Sequence, residues 1–241
     1  MTRKLKVERW AFWSPEAASP AEWRELWSGP DPAVAAGPVP SHRIPSMHRR
    51  RMSKMSKMAV QVALEASDEI DAHYLVFCSR HGELVRTQRL LSSIASGDTL
   101  SPTDFSQSVH NTSSGLYSII KRSRVPACSL AAGSGSFAYG WLEAEGYLAE
   151  HREGHVLLVD CEDVLPEPYQ ALVDAKPCAY ALALVLTAEA DCGLSLHLGT
   201  AAEDSKLPIG PLFLDWCLSG GTVFDICAEG QKFTWERKGG A

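Results

Sequence analysis

Hydrophobic residues recur along this sequence in two patterns, short apolar runs typical of strands and a spacing of three or four residues typical of helices. The two patterns alternate along the chain. Short runs rich in β-branched, leucine and aromatic residues are typical of strands, and uninterrupted apolar runs indicate strands buried on both faces. By this criterion strands cover residues 5–13, 72–79, 126–130, 154–160, 180–187 and 194–198, with a hairpin-like pair at 222–227 and 232–236.

Apolar residues spaced three and four apart predict helices between these strands. The predicted helices cover residues 19–27, 46–67, 84–96, 109–121, 131–149 and 211–218. Residues 29–45 and 97–106 are rich in proline, glycine or polar residues and are predicted as loops. Because strands and helices alternate, the sequence predicts an α/β protein with helices flanking a mixed sheet.

Composition and charge narrow the possible classes of function. With 45% hydrophobic and 22% charged residues among 241, the chain can bury a substantial core, and we expect a single domain over residues 1–241. The net charge of −6 gives no basis for nucleic-acid binding. The longest apolar stretch, near residues 179–186, is too short for a membrane span, and no apolar signal region follows the basic start.

The seven cysteines are widely scattered and form no C-x-x-C pair, which argues against a zinc ribbon or a redox motif. Free thiols in apolar runs behave as small hydrophobic side chains and suit a reducing compartment. We therefore expect a cytoplasmic protein without a metal site.

Four stretches in a fixed order resemble the N-terminal half of the β-ketoacyl synthases. They read HRRRMSKMSKMA at 48–59, VFCSRHGEL at 76–84, LSPTDFSQSVHNTSSGLYSI at 100–119, and ACSLAAG at 127–133 followed by FAYGWLEA at 137–144. The chain is most similar to the short, chain-length-factor-type subunits of aryl polyene pathways. The resemblance implies the N-terminal half of a thiolase-like fold, with a mixed five-stranded-type sheet.

The resemblance also implies that this chain functions together with a second protein. Ketosynthases condense acyl chains through a cysteine thiolate and two histidines, and both histidines belong to the second half of the fold. The histidines that follow the ACSLAAG stretch are His151, His155 and His197, and none of them lies in a family-like motif. The chain is therefore expected to be a non-catalytic partner of a full-length β-ketoacyl synthase, in a heterodimer whose acyl tunnel it shapes.

Cys128 is the candidate nucleophile, but two alignments of this stretch with the family nucleophile are possible. Counted back from the helix at 137–144, it falls near the position of the family nucleophile, whereas a second register places Leu130 there. The interpretation we favour is a buried thiol on a short strand, which would not be an essential nucleophile. The alternative function is thus an acyltransferase or condensing enzyme that loads an acyl group on Cys128.

Residues 105–115 correspond to the part of the family that lies at the dimer interface and borders the partner's tunnel. The resemblance assigns this role to Phe105, His110, Asn111, Thr112 and Gly115. Two other interpretations are a tight turn satisfied by the Asn111 side chain and close packing permitted by Gly115.

The basic run 49–57 offers a surface for an acidic acyl carrier protein, although such runs are often only solvated faces. The candidate contacts are Arg49, Arg50, Arg51 and Lys54. No cofactor is expected in the chain itself, because phosphopantetheine would arrive only on the partner acyl carrier protein.

Overall fold

The computed structural model describes residues 4–28, 38–173, 178–190, 192–201 and 203–238, and within these ranges eight strands form one mixed sheet. The strands are β1 (Lys4–Trp13), β2 (Tyr74–Cys78), β3 (Ala127–Leu130), β4 (Val156–Glu162), β5 (Tyr180–Glu189), β6 (Gly193–Thr200), β7 (Val223–Ala228) and β8 (Gln231–Lys238). Their spatial order is β3-β2-β4-β5-β1-β6-β8-β7. Only β3, β2 and β4 run parallel, and every other neighbouring pair is antiparallel.

The mixed α/β architecture predicted from the sequence is confirmed, and each predicted strand has its counterpart. The sheet is wider than the implied five strands because β1 joins the β4–β5 side to β6, and the hairpin of β7 and β8 continues the same sheet. The parallel strands lie at one end, so their carboxyl ends, where ligands usually bind in such sheets, share one edge.

Helices cover both faces of the sheet. They are α1 (Pro20–Ser28), α2 (Ser46–Arg49), α3 (Lys54–Ala66), α4 (Leu84–Ser96), α5 (Pro102–Ser106), α6 (Thr112–Lys121), α7 (Ser136–Glu150), α8 (Glu167–Gln170) and α9 (Ile209–Ser219). One core lies between the sheet and α3 with α6, and a second lies between the sheet and α7 with α9. None of these helices, within the described ranges, is long and apolar enough to cross a membrane.

Strand β4 lies between the two cores, which explains its uninterrupted apolar sequence. Val156 and Leu158 belong to the core under α7, whereas Leu157 and Val159 belong to the core under α3. A strand buried on both faces has no solvent side to be polar, so the usual alternation disappears. Asp160 is therefore an exceptional polar residue in this strand.

The predicted helix over residues 46–67 is interrupted. Residues 50–53 leave the helical path, and the Ser53 side chain accepts a hydrogen bond from the backbone N–H of Ser56 at 2.9 Å. Ser53 thus caps a new helix, α3, and Met52 beside it is buried. The predicted loop at 97–106 likewise contains a short helix, α5, whose N-cap is Ser101. In both places a serine cap sets a boundary that hydrophobic spacing alone does not reveal.

The small residues of α7 let it approach the sheet closely. A Cβ added at Gly140 would overlap Cys78 Sγ and would lie 2.9 Å from Leu158 Cδ1. Such contacts leave no room for any side chain at this position. Gly140 therefore fixes the separation between α7 and the strands beneath it.

Candidate functional site

A tight turn joins β3 to α7 at the edge where the parallel strands end. Gly133 has φ +58°, a left-handed conformation that favours glycine. The Ser136 hydroxyl accepts from the Ala132 N–H at 3.0 Å and donates to the Gly133 carbonyl at 2.7 Å. This is the strand–turn–helix geometry that presents a side chain at a helix N-terminus, where an anion is stabilised. We call residues 131–135 the elbow; their sequence AAGSG contains no thiol.

The carboxylate of Glu229 covers the elbow. Its Oε1 accepts hydrogen bonds from the Ser134 backbone N–H at 2.8 Å and from the Ser134 hydroxyl at 2.9 Å. A Cβ added at Gly133 would overlap the same oxygen. These hydrogen bonds, chiefly the one from the backbone, hold the pKa of Glu229 below its ordinary range. The elbow thus already holds an anion from the chain itself.

Sequence reasoning missed Glu229 because 95 positions separate it from Ser134. The only local signal is the β7–β8 turn, in which Glu229 itself has φ +53° and Gly230 has φ +73°. A turn prediction could locate the hairpin, but not the surface against which its tip packs.

Cys128 lies in β3, away from the elbow. It pairs with Val76 of β2, and its side chain is near Tyr74 and Glu143. Burial, followed by the negative charge of Glu143, raises the pKa of the Cys128 thiol, although a hydrogen bond from Tyr74 lowers it. A thiol with a raised pKa, outside the field of a helix N-terminus, is a poor nucleophile at neutral pH. The geometry favours a structural thiol, and the catalytic role remains a prediction.

The alternative register does not bring a thiol to the elbow either. Leu130 ends β3, is partly buried, and packs against the core under α7. The residues that lead into the first turn of α7 are instead Ala132, Gly133, Ser134 and the N-cap Gly135. The structure therefore separates the strand residue that the sequence singled out from the turn that the chemistry requires.

The exposed side of α6 carries part of the predicted interface set. Asn111 and Gly115 are exposed at helical spacing, and Ile119 continues the same side with 61% exposure. A Cβ added at Gly115 would meet no atom of the described residues within 4 Å, so close packing against this part of the chain does not explain the glycine. Asn111 makes no side-chain capping hydrogen bond, so the tight-turn interpretation does not account for its side chain.

Phe105 is also open to solvent, with 68% exposure, whereas two members of the set face inward. Thr112 is 7% exposed, and its hydroxyl donates to the Val109 carbonyl at 2.8 Å. The His110 ring packs over Gly82, and its Nε2 lies 2.9 Å from the Ser79 carbonyl oxygen. The side chains of His110 and Thr112 therefore point into the protein at the start of α6. They stabilise the position of this helix and do not contribute to its exposed side.

A comparison with models of protein families shows to which family this chain belongs. The model of the β-ketoacyl synthase N-terminal domain matches residues 20–236. The chain belongs to this family. None of the curated proteins compared with the chain matches it significantly.

Solved structures place this ketosynthase-family chain among thiolase-like folds. One chain of the Xenorhabdus doucetiae complex of the ketosynthase ApeO with its chain length factor ApeC is 30% identical, with a TM-score of 0.84. That alignment covers 97% of this chain and 99% of the other. A Burkholderia phymatum β-ketoacyl synthase is 14% identical with a TM-score of 0.62, covering 82% of this chain and 64% of that one. The ishigamide ketosynthase/chain length factor is 15% identical with a TM-score of 0.60, covering 82% and 67%.

The ketosynthase-family segment from 85 to 119 is unusually apolar on its surface. Its exposed large hydrophobic side chains are Val85, Leu91, Ile94, Leu100, Phe105, Val109 and Ile119. Beside α6, strand β3 ends the sheet, with β2 as its only neighbour among the described residues. The Ser114 and Ser129 hydroxyls, 3.0 Å apart, tie α6 to this edge strand. An open strand edge next to exposed apolar side chains is the pattern of a surface that pairs with another chain.

The four candidate contacts for a carrier protein differ in whether their side chains already bind other groups of this chain. Lys54 Nζ lies 2.9 Å from Asp163 Oδ1, and Arg49 donates to the Ser41 carbonyl at 3.2 Å. Arg50 and Arg51 are exposed. Because the predicted helix is broken here, these residues lie on α2, the following turn and the start of α3, rather than on one helical face.

Proposed function

We propose that this chain is a non-catalytic ketosynthase-like subunit, a chain-length factor that pairs with a full-length β-ketoacyl synthase. The pathway we propose is aryl polyene biosynthesis, a type II polyketide and fatty-acid-like route. The observation that carries the proposal is the exposed side of α6, where no described residue packs against the position of a Gly115 side chain. The similarity to a chain of the ApeO–ApeC complex over nearly the full length of both chains supports this function.

A helix glycine without a local purpose has a cost. Glycine in a helix interior destabilises a protein by about 0.5–1 kcal/mol relative to alanine, because it loses more backbone entropy on folding. At Gly115 no close packing with the described residues offsets that cost, but an opposing chain could approach the α6 backbone closely there. The edge of β3 beside it would extend the partner's sheet, which would satisfy its unpaired backbone groups.

The elbow supports a role without independent condensation. It contains no thiol, and Glu229 fills the space at its Gly133 and Ser134. An anion already seated at these donors competes with any thiolate or oxyanion that would need them. The partner ketosynthase would supply the nucleophile, and Phe105 with its exposed neighbours would border the acyl tunnel.

The acyl carrier protein would reach the complex with its phosphopantetheine-bound chain. Arg50 and Arg51 are the residues of the basic run that are free to meet an acidic partner, because both are exposed. Lys54 is held by Asp163 and would contribute less.

Coexpression with the full-length ketosynthase of the same pathway tests the proposal. We expect a one-to-one heterodimer by size-exclusion chromatography with light scattering, and a changed distribution of product lengths when the tunnel-facing residues are altered. Phe105→Ala is the first such variant, since a smaller side chain should permit longer products. A soluble monomer that never copurifies with the ketosynthase would contradict the proposal, and a stable homodimer would favour an acyl-binding module instead.

A further inference from the structure

A pocket of about 330 Å³ opens where β2 and β4 end, between the first turns of α7 and α9. Much of its wall is apolar, with Phe137, Leu165, Leu207 and Ile209 among its lining residues. Pockets of this size, mostly apolar with a few converging polar groups, are typical of small-molecule sites. It is separate from the exposed side of α6, which lies on the other face of the sheet.

Asp160 provides the polar group at the base of this pocket. It is 2% exposed, and its Oδ2 accepts a hydrogen bond from the Tyr180 hydroxyl at 2.9 Å. A Cβ added at Gly210 would overlap the same oxygen, so only glycine leaves room for the carboxyl group. The other oxygen, Oδ1, has no hydrogen-bond partner among the described residues. A buried carboxyl group with one unused oxygen beside a cavity is poised to meet a ligand.

Burial raises the pKa of Asp160 to about 8, and the nearby Glu162 adds to this effect. The hydrogen bond from Tyr180 lowers the pKa but does not cancel the rise. At neutral pH the group is therefore mostly a neutral carboxylic acid. Because Oδ2 accepts from Tyr180, the proton is left to Oδ1, where it can be donated to a ligand.

The charged side chains around the pocket balance one another, so they give an anion no net attraction. Glu162 lies 3.1 Å from His81 Nδ1 and also accepts from Ser79, and Asp163 forms its ion pair with Lys54. Arg80 and Lys206 line the same pocket. Burial raises the pKa of the neighbouring Cys178 thiol and Tyr180 hydroxyl, so both remain neutral. The helices α7 and α9 place Phe137 and Gly210, both uncharged, next to Asp160.

We propose that this pocket binds an uncharged, mainly apolar small molecule whose single hydrogen-bond acceptor, such as a ketone carbonyl, receives a hydrogen bond from Asp160. A protonated carboxyl group in an apolar pocket is a known way to donate a hydrogen bond to a carbonyl oxygen. Gly133 and Ser134 of the elbow form part of the pocket wall, but all the lining residues belong to this chain, so binding here goes beyond the pairing function and needs no partner.

Isothermal titration of the full chain with 2-undecanone and with decanoate tests the ligand class. These probes share a long alkyl chain, but the first carries a neutral carbonyl and the second a carboxylate. At about pH 6.5 we expect saturable binding of the ketone and at least tenfold weaker binding of decanoate, because a carboxylate would lose its hydration in a mainly apolar pocket where Arg80 and Lys206 are already matched by Glu162 and Asp163. No saturable binding of the ketone, or equal binding of both probes, would overturn the proposal.

Variants locate the site and the donor. Leu207→Trp fills the pocket and should abolish ketone binding, whereas Leu198→Trp makes the same change on an exposed surface of β6 and should not. Asp160→Asn keeps an N–H donor and should retain binding, but Asp160→Leu should weaken it about tenfold, the loss expected for one hydrogen bond. Equal affinities for the two tryptophan variants would place the ligand elsewhere and contradict the proposal, even if an Asp160 variant failed to fold.

Measuring ketone affinity at several pH values tests whether Asp160 donates a hydrogen bond to the ligand or has only a structural role. Ketone binding by the wild type should weaken about tenfold between pH 6.5 and pH 9.5, because the carboxyl group loses its proton in that interval. Asp160→Asn should bind equally at both pH values. If the wild type and Asp160→Asn respond to pH alike, Asp160 is not the donor.

Discussion

The carboxylate of Glu229 and the backbone N–H of Ser134 are 2.8 Å apart, and this contact joins the tip of the β7–β8 hairpin to the turn that precedes α7. The Ser134 hydroxyl donates to the same oxygen at 2.9 Å. In a ketosynthase with a nucleophilic cysteine, the corresponding helix start would stabilise a thiolate. Here it stabilises a glutamate that arrives from a distant part of the chain.

This contact predicts an acid-sensitive contribution to stability. The folded state lowers the pKa of Glu229 below its ordinary value of 4.5, so it favours the ionised form. The stabilisation is therefore complete at neutral pH and is lost as the pH falls through the lowered pKa. We expect Glu229→Ala to reduce the free energy of unfolding by about 0.5 kcal/mol at pH 7, a low figure because the group is exposed.

Thermal unfolding as a function of pH checks this prediction. The difference between wild type and Glu229→Ala should close in acid, whereas Glu203→Ala, at another exposed glutamate, should have little effect at any pH. A gap that stays constant down to acid pH would show that the carboxylate charge is not responsible.

Gly115 allows the pairing surface to be tested separately from folding. Gly115→Ala should raise the free energy of unfolding of the isolated chain by about 0.5–1 kcal/mol, because the position is helical and has free space. Gly115→Leu should leave the chain folded but weaken its association with the ketosynthase at least tenfold, since a side chain would separate the two surfaces.

Gly146 in α7 is the matched control, because it is exposed and a Cβ there also meets nothing within 4 Å. Gly146→Leu should preserve association, as measured by surface plasmon resonance or copurification. If both leucine variants bind equally well, the exposed side of α6 is not the interface.

Gly140 should respond in the opposite way to Gly115. An added methyl group would meet Cys78 and Leu158 in the core, so Gly140→Ala should reduce the free energy of unfolding by about 1–3 kcal/mol despite the better helix propensity of alanine. Denaturant unfolding measures the change. A neutral or stabilising effect would mean that α7 can move away from the sheet at little cost.

Cys128 is expected to be slow to react and dispensable. Burial and the charge of Glu143 raise the pKa of its thiol, so little thiolate exists at neutral pH. Iodoacetamide should label the exposed Cys192 well before Cys128, as followed by peptide mass spectrometry. Cys128→Ala should support normal product formation, whereas an acyl adduct on Cys128, or loss of product from an assembled complex, would establish the enzymatic alternative.

Arg50 and Arg51 are expected to attract the carrier protein. The double change Arg50→Glu and Arg51→Glu should weaken carrier-protein binding to the complex about tenfold at low salt, with a smaller effect at about 0.5 M salt, where charges are screened. Lys6→Glu with Arg152→Glu reverses two exposed cations elsewhere and serves as the control. Equal loss in the two double variants would indicate only an effect of net charge.

The amino-acid sequence by itself determined the strands of this protein, most of its helices and its α/β class. The double-sided burial of β4 appears as an unbroken apolar run, and the small residues of α7 signal its close approach to the sheet. These features can be read locally because strand and helix periods repeat within a few residues. The four ordered motifs added the family, which the match over residues 20–236 bears out.

Tertiary structure alone decided what stands at the candidate site. Glu229 reaches Ser134 across 95 positions, and Asp160, at the end of a predicted strand, is buried beside the Tyr180 hydroxyl. Thr112 appears as surface in the linear motif but faces inward once α6 packs on its neighbours. These features depend on which elements, distant in the sequence, pack against one another. Such long-range contacts do not produce a periodic pattern of residues along the chain.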